Sequence, residues 1–100
     1  MAKAPVEILE SLNFRKFHNG GGTVVYRRDF GGAELIVSGV DGDVPSNGWY
    51  AIGLYQDWEG SDALPQIYVA DASAEFSDFP SRVFAHDLAF MIEFAWARYI

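Results

Sequence analysis

The chain has 100 residues, half of them hydrophobic and 16% aromatic, with a formal net charge of −7; this fits one folded domain over 1–100 and excludes a disordered acidic chain. It contains no cysteine, which removes disulfides, thiolate metal sites and thiol nucleophiles together. No apolar run reaches the ~18 residues of a membrane span, and the first residues carry Glu7 and Glu10 in place of an apolar h-region, so a cytoplasmic protein without a cleaved signal peptide is expected.

The first segment, from Pro5 to Phe17, places Ile8, Leu9 and Leu12 at helical spacing, with Pro5 suited to a first turn. Asn19 and Gly20-Gly21-Gly22 are expected to end this short helix. Residues 23–30 are β-branched and aromatic and read as a first strand, and residues 30–40 as a second, with Gly31-Gly32 at the turn between them. Residues 49–55 alternate, with Tyr50, Ile52 and Leu54 on one face and Trp49, Ala51, Gly53 and Tyr55 on the other. The small residues of that second face predict a close-packed neighbour. A fourth strand over 65–72 turns Ile67 and Val69 one way.

The last segment, 77–100, carries the strongest periodicity. Phe84, Leu88, Met91, Ala95 and Tyr99 form one stripe, Arg82, His86 and Glu93 a polar face, and Phe90, Phe94 and Trp96 widen the apolar side. Ser77, Asp78 or Ser81 is a suitable cap and Pro80 suits the first turn. The expected fold class is α+β: a four-stranded antiparallel meander with a short N-terminal helix and a longer C-terminal helix packed on one face.

Candidate chemistry is sparse. Asp41-Gly42-Asp43 and Asp57-x-Glu59-Gly60-x-Asp62 resemble calcium loops only in their acids. An EF-hand needs Gly at its sixth position and Glu at its twelfth. From Asp41 the sixth residue is Ser46, and from Asp57 the sixth and twelfth are Asp62 and Tyr68. His18 and His86 have no partner in sequence, no serine lies in a nucleophile elbow, and Gly20-Gly21-Gly22 lacks the Lys-Ser/Thr of a phosphate loop. The chain reads as non-enzymatic, without metal or cofactor.

Charge is distributed unevenly. Residues 1–28 hold five cations against two acids, residues 29–81 hold ten acids and no Lys, Arg or His, and residues 82–100 balance. This argues against nucleic acid as the direct ligand, because phosphate contact needs Lys and Arg on the contact face. A four-stranded meander sorts the ten acids into two ends: Asp29, Glu34, Asp57, Glu59 and Asp62 at one, and Asp41, Asp43, Asp71, Glu75 and Asp78 at the other. Trp58 sits inside the first cluster and Trp49 borders the second. Carboxylates beside large aromatics suit docking of a basic protein, the acids steering and the aromatics anchoring. Asp57, Trp58, Glu59 and Asp62 form the first candidate contact set, and Asp41, Asp43 and Trp49 the second.

In size, acidity and lack of motifs the chain resembles the small inhibitors that phages use against bacterial defence, including DNA-mimic anti-CRISPR and anti-restriction proteins. That likeness implies an inhibitor or decoy of a basic nucleic-acid-binding protein. It covers composition alone and assigns no residue. The alternative is a structural or assembly subunit that forms a homo-oligomer through the C-terminal helix, on the strength of Phe90, Phe94 and Trp96. The third reading is an enzyme or metal binder, and against all of them stands an acidic surface that is only solvated and serves solubility.

Overall fold

The computed structural model describes residues 4–18, 22–56, 65–76 and 82–99. Helix α1 (Pro5–Ser11) opens with proline in its first turn and ends much earlier than the apolar spacing predicts. Asn13 adopts a left-handed φ of 67°. The N–H of Phe14 then donates to the Leu9 carbonyl at 3.0 Å and that of Asn13 to Glu10 at 3.2 Å, the paired bonds of a Schellman C-cap. Leu9 and Phe14 are both buried in the core, so the cap is sealed by an apolar contact as well.

The chain leaves the cap as a strand, β1 (Arg15–His18), and this corrects the expected count of four strands to five. It pairs with β2 (Val24–Asp29), and β3 (Glu34–Ser38), β4 (Tyr50–Tyr55) and β5 (Ile67–Asp71) come next in the chain. The sheet is antiparallel throughout, in the order β1-β2-β3-β4-β5. Asn19, Gly20 and Gly21, expected to end a helix, lie outside the described residues. All four residues of β1 are exposed, and Arg15 and Lys16 on this edge discourage pairing with another strand.

Register puts Tyr26, Val37, Ile52 and Val69 in one row and Leu35, Leu54 and Ile67 in the next, all on one face. That face meets α1 and the C-terminal helix α3 (Phe84–Tyr99), whose Phe84, Leu88, Met91 and Ala95 are buried as the spacing predicts. The expected caps Ser77, Asp78 and Ser81 lie outside the described residues, as does Pro80. Val83 occupies the capping position, its carbonyl accepting the N–H groups of His86 and Asp87 at 3.1 Å. No helix is long and apolar enough to cross a membrane among the described residues.

The opposite face has no second layer among the described residues, yet Val25, Ile36 and Ala51 on it are buried. Its own long side chains roof it. Arg27 lies over the Phe17 ring at 4.9 Å and forms a two-pronged ion pair with Glu34, at 2.7 and 3.0 Å. Tyr55 folds back over Gly53, where an added Cβ would come within 2.6 Å of its ring. The close neighbour predicted for the small residues of β4 is therefore the strand's own tyrosine.

Candidate functional site

Of the two contact sets, Asp57, Trp58, Glu59 and Asp62 lie outside the described residues. Asp41, Asp43 and Trp49 belong to the β3–β4 connection, residues 39–49, which the structure describes in full. This connection is built by two successive tight turns. In the first, the Gly42 N–H donates to the Gly39 carbonyl at 3.1 Å and the Gly39 N–H to the Asp43 carbonyl at 2.6 Å. Gly42 has φ 82°, the left-handed step of a type I turn closed by a glycine bulge. Its carbonyl accepts the Val24 N–H at 2.7 Å, which holds the turn against the start of β2.

The second turn runs from Ser46 to Trp49. Each of these residues donates its N–H to the other's carbonyl at 2.9 Å, around Asn47 and Gly48. Trp49 is half-buried because its indole lies against Gly39. A Cβ on Gly39 would sit 3.1 Å from the indole Cδ1 and 3.0 Å from the Asp43 carbonyl oxygen. Trp49 is thus a brace for the loop that carries the acids, with part of its ring accessible. Replacing Gly39 by alanine forces the ring and a backbone carbonyl to shift. The expected cost is about 1–3 kcal/mol, readable as a lower urea midpoint with altered tryptophan emission.

Asp41 and Asp43 are exposed, and Val44 beside them is an exposed apolar residue. A one-turn helix, α2 (Ser73–Phe76), reaches the same end of the sheet, where the Ala74 N–H donates to the Gly48 carbonyl at 2.9 Å. This brings Glu75, also exposed, to that end.

The five-acid cluster expected here is thinner than the sequence suggested. Asp71 is only 4% exposed. Its Oδ1 accepts the Ser73 N–H at 2.9 Å and its Oδ2 the Arg82 N–H at 3.2 Å, tying α2 and the approach to α3 onto β5. It is a structural brace. Asp78 lies outside the described residues. At the opposite end, Glu34 is paired with Arg27, and the Asp29 carboxylate accepts the Gly31 N–H at 2.9 Å within its own turn. A cation-free stretch of sequence is therefore not free of cations in space.

A polar network adjoins the end of the sheet that carries residues 39–49. Arg82 makes a two-pronged contact with Asp87 at 2.7 and 3.0 Å, and the Tyr50 hydroxyl donates to the same carboxylate at 2.7 Å. The hydrogen bond from Arg82 holds the Asp87 carboxyl below its usual range against the opposing effect of burial. Burial, then the bond to Asp87, pushes the Tyr50 phenol well above its ordinary value. The Arg82 guanidinium is thereby engaged with Asp87. Among the described residues no group of three or more His, Asp or Glu side chains is placed to hold a metal ion.

Sequence reasoning counted Glu75 only as one more acid, and Val44 and the bracing role of Gly39 went unseen. The Asn47-Gly48 pair was the available signal, since that dipeptide between apolar segments marks a tight hairpin. No family model matches the chain, and no curated protein or solved structure matches it. Its function has to be read from its own residues.

Proposed function

We propose that the chain is a cytoplasmic, non-enzymatic protein-binding module that docks a basic protein against the end of the sheet formed by residues 39–49 and α2. The observation that carries this reading is the exposure of Asp41 and Asp43 on a loop whose shape is fixed by backbone hydrogen bonds and by Trp49 packed on Gly39. A preorganised loop loses little conformational entropy on binding. Val44 and the accessible part of Trp49 supply apolar contact within the acidic rim, the arrangement in which charge steers and apolar surface anchors. The partner class is a protein with a lysine- or arginine-rich surface. A nucleic-acid-binding groove is the most demanding case, because its cations are spaced for phosphates that carboxylates can imitate. The chain would then act as an inhibitor or decoy of such a protein.

The test is a nuclease-treated lysate pull-down comparing the wild type with two charge reversals. Asp41→Lys/Asp43→Lys/Glu75→Lys should lose the retained protein. Glu7→Lys/Glu10→Lys, at exposed positions of α1, should keep it. Retention by both variants would place the contact elsewhere. A second reading, an assembly subunit that pairs through α3, is favoured by Phe90 and Trp96, which are 51% and 46% exposed on that helix.

A further inference from the structure

The outward side of α3 is apolar but not uniformly so. At about 100° per residue, the side opposite the buried Phe84, Leu88, Met91 and Ala95 divides into a crest and two flanks. One flank carries Val83 and Phe90, 53% and 51% exposed, with Ala97 further along. The other carries the exposed Ala85 and Trp96. Between them the crest holds the face's two polar side chains, His86 and Glu93, both exposed and two turns apart. The face carries one carboxylate, Glu93, and one imidazole, His86, in place of the run of acids at the acidic end of the sheet, so its polar groups can complement each other across two copies.

We infer that this face pairs antiparallel with the same face of a second copy, through a two-fold axis beside Phe90. This rests on the assembly reading and gives it a register. In an antiparallel pair related by a two-fold axis, like flanks meet like flanks, and each residue faces one equally far beyond the axis to within about one residue, or about 1.5 Å of rise. With Phe90 against Phe90 of the second copy, Val83 falls opposite the second copy's Ala97. On the other flank, Trp96 falls opposite the second copy's Ala85. On the crest, His86 falls opposite the second copy's Glu93, and Glu93 opposite its His86. Apart from the Phe90 pair at the axis, large side chains meet small ones, and each polar group meets its complement, with all the pairs within about one residue of one register.

Charge complementarity is what selects a second copy as the occupant. The imidazole can donate to the carboxylate in either protonation state and is strengthened when charged. Phe94 lies beside Phe90 at 6.4 Å between ring centres, and Arg98 covers it at 5.3 Å, which closes the patch at its margin. A pair of single helices covers less than the roughly 1,200 Å² of a standard interface. The dimer is therefore weak, with a dissociation constant on the order of tens of micromolar.

Sedimentation of the full chain across a concentration series tests this, with circular dichroism confirming that each variant is folded. The wild type should dimerise reversibly. His86→Glu sets two carboxylates against each other and Glu93→Lys removes the acceptor. Each should weaken the dimer about fivefold to thirtyfold, since two symmetry-related pairs are lost. The double swap His86→Glu/Glu93→Lys restores opposite charges and should recover wild-type affinity. A monomer at every concentration would overturn both the assembly reading and this register. A dimer in which the double swap is no better than the single changes would overturn the register alone.

Discussion

Phe84→Ala is expected to lower stability by about 3–5 kcal/mol, the cost of removing a fully buried aromatic ring and leaving its cavity. Phe84 has no exposed surface and stands edge-on against Tyr50, with 5.0 Å between ring centres and an angle of 86°. It begins α3 and clamps that helix to the central strands of the sheet. A domain of this size has only about 5–15 kcal/mol in total, so the variant should be partly unfolded at physiological temperature. Phe90→Ala supplies the contrast. Its ring is half-exposed on the same helix, and the expected change is within about 0.5 kcal/mol for the monomer. Urea unfolding of the two variants reads the helix's rotation directly. A larger loss at Phe90 than at Phe84 would mean that α3 presents the wrong face to the sheet.

The second large effect is expected at the Tyr50–Asp87–Arg82 network. Tyr50→Phe removes a hydrogen bond to a carboxylate whose side chain is only 13% exposed. Such bonds contribute about 1.5–3 kcal/mol. The pH dependence comes from Asp87, whose carboxyl Arg82 holds below the ordinary value. A carboxyl with a lower value in the folded than in the unfolded chain favours folding fully above the unfolded value of about 3.9. That contribution disappears as the pH falls through the folded value. The melting temperature of the wild type should therefore fall more steeply than that of Asp87→Asn on acidification from about pH 5. Parallel curves for the two proteins would remove Asp87 from the account of acid stability.

The elements most legible in the sequence were those whose burial has a single period. The alternation of Tyr50, Ile52 and Leu54 gave β4 its face, and the spacing of Phe84, Leu88, Met91 and Ala95 gave α3 its buried stripe. β1 was missed because an edge strand exposed on both sides has no period-two pattern to show. Its start depends on one backbone angle at Asn13, a residue that tolerates the left-handed region without advertising it. The ion pair between Arg27 and Glu34 was recoverable in principle. Asp29 faces Glu34 across the hairpin, so Arg27 lies on the same face one diagonal step away. The burial of Asp71 was not, because the backbone N–H groups that hold it belong to Ser73 and Arg82, and the second is brought there only by the tertiary fold.

The acidic end stands or falls on where a bound partner touches the chain. Hydrogen exchange of the backbone amides, measured on the chain alone and on the complex recovered from lysate, reads this without altering a residue. Docking at the acidic end predicts slowed exchange concentrated in residues 39–49 and 73–76, and relieved by raising the salt concentration as the complex dissociates. Slowed exchange confined to other segments, with residues 39–49 and 73–76 unchanged, would contradict it.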